Sequence, residues 1–139
     1  LEGGFDLARS VSADPAELLP PAGLFLIARL HGRAVGCGGI KVKSRTRGEI
    51  KRMWVAPGAR GLGIAQRLLE GLERFAHEAG LDVLQLDTNR TLVEARALYV
   101  RNGYAEIASY NANPYAHHWF EKRGLRRKCK IRGNFPQPR

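Results

Sequence analysis

The stretch Glu49-Ile50-Lys51-Arg52-Met53-Trp54-Val55-Ala56-Pro57-Gly58-Ala59-Arg60-Gly61-Leu62-Gly63-Ile64-Ala65 reads as an extended strand, a proline-glycine turn and a glycine-rich entry into a helix. Downstream, Ile64, Leu68, Leu69, Leu72, Phe75, Ala76 and Ala79 recur on one stripe, while Gln66, Arg67, Glu70, Glu73, Arg74 and His77 fall on the wetter side. That period predicts an amphipathic helix over residues 63–79, closed by Gly80. Small residues at such a helix start present backbone N–H groups and the positive end of the helix dipole to an anion. The lysine and hydroxyl of a P-loop are missing, so the anion need not be a nucleoside triphosphate. The first expectation is a phosphate-bearing ligand gripped by backbone, with Arg60 pairing to phosphate or simply facing solvent.

Working outward, Leu24-Phe25-Leu26-Ile27-Ala28 and the run from Ala34 to Val42 predict an antiparallel hairpin turning at His31-Gly32-Arg33. Val83-Leu84-Gln85-Leu86-Asp87 follows the helix as a strand, which implies a parallel crossover. Asn89 or Thr91 opens a second helix reaching Asn102, with Leu92, Ala95, Leu98 and Tyr99 inward and Asn102-Gly103 as its stop. Residues 104–107 and 117–121 supply further strands. The pattern is α/β: a mixed, twisted sheet with flanking helices. Residues 1–23 read as a weakly structured lead-in with one short helical turn behind Asp14.

At 139 residues the chain suits one domain, and its 44% hydrophobic content supports a packed core. Two cysteines, Cys37 and Cys129, make neither a disulfide framework nor a metal spacing, so a cytoplasmic setting and no metal are expected. Cys37 reads as a buried, unreactive thiol. No apolar stretch approaches the ~20 residues that span a bilayer, so no membrane insertion is expected. The net charge of +10 is concentrated: residues 122–139 carry eight cations and no acid. A basic tail over residues 123–139 would be a solvated extension or a weak attractor of nucleic acid or anionic lipid.

Arg60, Gly63 and Ala65 match the Arg/Gln-x-x-Gly-x-Gly/Ala phosphate loop in motif A of the GNAT acetyltransferase superfamily. Glu94-Ala95-Arg96-Ala97-Leu98-Tyr99-Val100-Arg101-Asn102-Gly103-Tyr104 resembles its motif B. With the element order, the resemblance covers roughly residues 24–122. It implies acetyl-CoA as acyl donor and a primary amine as acceptor, of a small molecule or amino-acid-like metabolite. A protein or peptide amine is the neighbouring alternative. A module that binds acetyl-CoA or nucleic acid without catalysis is the alternative of another class, and a homodimer is left open.

The resemblance also assigns residues. The backbone of Met53, Trp54 and Val55 would pair with the pantetheine arm, and Arg60, Gly61, Leu62, Gly63, Ile64 and Ala65 would hold the pyrophosphate. Asn89 would cap the second helix or touch the cofactor. The strands at 49–55 and 83–87 would splay to admit the cofactor between them. Backbone near Trp54 or Val55 would stabilise the oxyanion. Tyr99 would protonate the departing thiolate, its other reading being a core aromatic. Glu49 would be the general base, its other reading a solvent-facing carboxylate. Tyr110, Asn111, Asn113 and Tyr115 would form an acceptor-side loop, with one of His117 and His118 beside it. Those two histidines, adjacent in a strand, point to opposite faces and make a poor metal pair. Asp87 would contribute at its strand end or serve as a cap, and Trp119 and Phe120 would be core or pocket wall. The family's N-terminal strand and helix are expected to be missing, because only 23 weakly patterned residues precede the first hairpin strand.

Overall fold

Period-two alternation in the strands decides which face each helix covers. The computed structural model describes residues 5–9, 18–89 and 93–126. In chain order the elements are β1 (Phe5–Arg9), β2 (Gly23–Leu30), β3 (Arg33–Val42), β4 (Arg47–Val55), α1 (Ile64–Glu78), β5 (Val83–Thr88), α2 (Val93–Arg101), β6 (Ala105–Ile107) and β7 (His118–Arg123). They form one seven-stranded sheet of order β1-β2-β3-β4-β5-β7-β6. The β4–β5 pair is parallel, as the α1 crossover requires, and the remaining neighbours are antiparallel.

One expectation is corrected here. A strand precedes the hairpin: β1 pairs along β2 from Phe5 opposite Leu30 to Arg9 opposite Leu26. Its five residues, FDLAR, are too few to raise a period-two signal beside Gly3-Gly4, and pairing to β2 supplies what propensity does not. The helix expected to be missing with it would fall in the segment after β1, and residues 10–17 lie outside the described residues.

One face of the sheet, the back, is covered by α1. Leu24, Leu26 and Ala28 of β2, with Ile40 and Ile50, join Ile64, Leu68, Leu69, Leu72 and Ala76 in the core. Leu68, Leu69 and Leu72 are fully buried, each worth about 2 kcal/mol against exposure. Gly38 lets the helix settle: a Cβ there would run into Met53 Sδ and approach Leu72 Cδ1 at 3.4 Å. On the other face, the front, Leu18 is 1% exposed and packs with Phe25 against Gly39.

Glu73, on the predicted wet side of α1, is partly buried instead. Glu73 accepts from Lys122 Nζ at 2.9 and 3.1 Å and from the Tyr104 hydroxyl at 2.7 Å. Lys122 therefore belongs to the interior rather than to a basic run. Defined structure also extends past the expected tail boundary, to Arg126 among the described residues. Leu125 is 3% exposed, and its N–H donates to Asp82 O at 3.2 Å. Residues 127–139, most of the predicted tail, lie outside the described residues. Among the described residues no helix is long and apolar enough to cross a membrane.

Candidate active site

The site is built by strand pairing that stops. β4 and β5 pair only at Arg47/Val83, Gly48/Leu84 and Glu49/Gln85, although both strands continue beyond that point. Past Glu49 the two strands diverge, leaving one edge of residues 50–55 without a strand partner on that side. The Ala56 N–H donates to Val35 O at 2.7 Å. Alternation then turns the N–H and C=O of Val55 toward the opening.

A bulge sets which side chains face where. β3 pairs Cys37 with Trp54 but Gly39 with Lys51, so β4 holds one extra residue. Arg52 sits there in the left-handed region, at φ 59°, and Cys37 Sγ donates to its carbonyl at 3.3 Å. The extra residue sends Met53 back to the α1 side against Gly38, and leaves Trp54 52% exposed on the front. Cys37 itself is half-buried, and burial pushes its thiol above the ordinary range. That opposes a thiolate nucleophile.

Beyond β4, Pro57–Ala59 forms a 3-10 turn, and the chain enters α1 through Gly61 and Gly63 at φ 84° and 76°. Gly63 is the N-cap with no side-chain cap, and the first turn of α1 holds no acid. The first amides of a 15-residue helix are thus left to a ligand or solvent. Arg60 and Leu62 are exposed beside them, whereas Ile64 turns into the core. Of the six predicted loop residues, Ile64 can therefore contribute only through its backbone.

Glu49 stands where the strands part, 9% exposed, on the front face with Gln85. The Tyr110 hydroxyl donates to Glu49 Oε2 at 2.9 Å. Burial first, then the hydrogen bond to Glu49 and the charges of Glu49 and Asp87, push the Tyr110 phenol far above its usual range. Tyr110 is thus a fixed donor to Glu49. The rest of its loop is pinned to the end of β5. Asn111 and Asn113 donate to the Asp87 carboxylate at 2.8 and 3.3 Å, and Trp119 Nε1 donates to Asn111 Oδ1 at 2.9 Å. Asn89 donates to Tyr115 O at 2.9 Å, tying the loop to the same strand end.

Sequence reasoning placed Tyr110, Asn111 and Asn113 together, and the structure joins them to Glu49 and Asp87. Tyr115 is 77% exposed, His117 is exposed, and the His117 N–H donates to Thr88 O at 3.0 Å. His118 is brought to the other face: its Nδ1 lies 2.6 Å from Glu106 Oε2, and its ring lies near Phe120. Period two along β7 separates His118 and Phe120 from Trp119, which faces the Asp87 loop.

Tyr99, on α2, is 3% exposed and packs on Tyr104 with centroids 5.5 Å apart and on Phe120 at 6.1 Å. Burial drives its phenol well above the ordinary range, so it holds its proton at neutral pH. The α2 end is tied to the first turn of α1 by reciprocal amide bonds, Gln66 to Asn102 at 2.9 Å and Asn102 to Gln66 at 2.8 Å. Those bonds couple the glycine loop to the tyrosine helix. Among the described residues no group of three or more His, Cys, Asp or Glu is placed to hold a metal ion.

Sequence reasoning missed Lys43 and Lys51. Lys43 Nζ lies 5.0 Å from the centroid of the Tyr110 ring. Lys51 shares the front face with Glu49, two residues away in β4. The signal was the alternation Lys41-x-Lys43 and Glu49-x-Lys51, which puts all four on one face once the register is known.

This geometry has relatives. Over 103 residues the chain is 44% identical to an IAA acetyltransferase of Azospirillum brasilense, covering 73% of this chain and 66% of that protein, just under two thirds of its length. The crystal structure of a Klebsiella pneumoniae protein described as an acyl-CoA N-acyltransferase superposes with a TM-score of 0.74 at 29% identity, covering 86% of this chain and 97% of that one. An Elizabethkingia anophelis GNAT family acetyltransferase, crystallised with acetyl-CoA bound, shares the fold at 17% identity with a TM-score of 0.67, covering 86% of this chain and 98% of the other. Residues 5–104 match the Acetyltransferase (GNAT) family, and with the split sheet and open helix start described above, the chain belongs to that family.

Proposed function

We propose that this chain transfers an acetyl group from acetyl-CoA to the primary amine of a small, amino-acid-like metabolite. The observation that carries the reading is the parting of β4 and β5 directly beyond Glu49, beside an α1 N-terminus that no side chain caps. The residues fit the cosubstrate. The free edge at Val55 offers strand-like pairing to a pantetheine arm, and the amides from Gly61 to Ala65 offer donors to a pyrophosphate. The thioester supplies an acyl carbon activated toward nitrogen.

The chain's residues do the rest. Glu49, directly or through water, takes a proton from the bound ammonium, freeing the nitrogen lone pair. Backbone N–H of β4 stabilises charge on the carbonyl oxygen. As the nitrogen–carbon bond forms and the carbon–sulfur bond breaks, Tyr99 gives its proton to sulfur and recovers one from solvent. The nitrogen sheds a second proton as the amide forms, so each turnover yields an amide, coenzyme A and one released proton.

Three measurements bear on this reading. Acetyl-CoA consumption against a diverse amine panel, with product mass, should show an increase of one acetyl group on an amine. Release of coenzyme A without any acetylated amine would reject transfer. Gly63→Val forces a β-branched residue into the left-handed region and blocks approach to the amides. It should weaken coenzyme A binding by calorimetry at least about tenfold, near 1.4 kcal/mol, with kcat at saturating donor changing less. An unchanged dissociation constant would remove the loop from the site. Tyr99→Phe should lower kcat by about 10²-fold while leaving coenzyme A affinity within a factor of about two. Because Tyr99 stays protonated, its loss should not remove a basic limb below about pH 10. Unchanged kcat where chemistry limits the rate would return Tyr99 to the core.

A further inference from the structure

We infer that the acceptor amine carries an anionic group, held by Lys51 with Lys43 beside it. The inference rests on the acetyl-transfer reading above and names the acceptor that the site would select.

The β3–β4 register shows why. On the front face Lys41 stands directly opposite Glu49, and Gly39 stands opposite Lys51. Arg47 and Lys51 flank Glu49 along β4 at the two-residue repeat. Lys43 covers the ring of Tyr110, whose hydroxyl holds Glu49. A single carboxylate suited to an ammonium group thus sits inside a ring of cations.

The carboxylates nearby are already engaged. Burial works against ionisation of Glu121, yet hydrogen bonds from Gln85 and Arg123 and the charges of Arg123 and Arg47 hold it below the usual range. Glu121 therefore balances Arg47 and Arg123. Asp87 receives the amides of Asn111 and Asn113. Lys51 has no carboxylate within ion-pair distance among the described residues, and its cross-strand neighbour Gly39, packed under Leu18 and Phe25, brings no charge to it.

Position completes the argument. Lys51 carries the first front-facing side chain past the Glu49/Gln85 pair, where β4 and β5 begin to diverge. It lies about 7 Å beyond Glu49 along the strand. An amine nitrogen at Glu49 with a carboxylate or phosphonate at the far end of a short chain meets both charges. A polyamine would set a second ammonium against Lys51 or Lys43, where like charges repel.

The test compares β-alanine, aminoethylphosphonate, ethanolamine and spermidine as acceptors for the full chain with acetyl-CoA. At least one anionic amine should exceed ethanolamine by at least about tenfold in kcat/KM, mainly through KM, with spermidine poorest. The better of β-alanine and aminoethylphosphonate identifies the anion as carboxylate or phosphonate. Lys51→Glu should shift the ratio of the favoured anionic amine to spermidine by about a hundredfold. Coenzyme A affinity, measured in the same variant, reports that the fold is intact. Ethanolamine or spermidine matching both anionic amines would overturn the inference while leaving acetyl transfer standing, as would an unchanged ratio in Lys51→Glu. Absence of transfer to every amine would overturn the acetyl-transfer reading instead. Calorimetric binding of both anionic amines to the protein–coenzyme A complex would then decide the inference. Weakening in Lys51→Met supports it, and equal binding or none by the parent chain overturns it.

Discussion

Glu49→Gln should lower kcat/KM for the acceptor by about 10²- to 10³-fold near neutral pH, with coenzyme A affinity unchanged. The substitution is nearly isosteric, and the amide oxygen still accepts from the Tyr110 hydroxyl that reaches Glu49 at 2.9 Å. What is lost is the capacity to take a proton. The loss should be largest at low pH, where the amine arrives almost wholly as ammonium, and should shrink as pH rises and free amine becomes available. Tyr110→Phe separates geometry from proton transfer. It removes the donor that fixes the carboxylate, so it should raise KM more than it lowers kcat. Normal turnover of Glu49→Gln at limiting acceptor would dismiss Glu49 as base, whatever the fate of the tyrosine.

The parts of this site that could be read in sequence are those that depend on local chemistry. Gly61 and Gly63 announce a turn into a helix because only glycine adopts φ 84° and 76° without strain. The α1 stripe from Ile64 to Ala76 is legible because burial follows the helical period. Glu49 and Tyr110 were each nominated, but their contact joins residues 61 positions apart, and no local period encodes it. The bulge at Arg52 was hidden for a related reason. An arginine carries no left-handed preference, so the extra residue exists only because β3 pairs on either side of it. Without that register, Trp54 and Met53 could not be assigned to faces, and the lysine ring around Glu49 could not be seen. His118 shows the same gap. Alternation established that it and His117 part company, but only pairing of β7 with β5 and β6 shows that His118 meets Glu106 on the α2 side.

Lys122 is the clearest case of composition misleading, and it carries the largest expected effect on stability. In sequence it opens a run of cations, yet its side chain is 7% exposed and paired with Glu73, itself 21% exposed. The pair joins α1 to β7, and the Tyr104 hydroxyl adds a third link from the chain after α2. Lys122→Ala leaves Glu73 partly buried without its cation, which should cost about 3 kcal/mol. For a domain of this size the melting temperature should fall by roughly 10 °C. Removing both charges is the informative control. Lys122→Met with Glu73→Gln keeps an acceptor for Tyr104 and leaves no buried charge, so it should recover most of the loss. A Lys122→Ala protein that melts with the parent would show Glu73 to be solvated, and would dissolve the argument that this triad braces α1 against the sheet. If the loss and its recovery are both seen, the rigid frame holding Tyr99 is anchored by a lysine that charge counting assigns to solvent. Tyr104, which bonds Glu73 and packs edge-on against Tyr99, is the link through which that anchor reaches the proton donor.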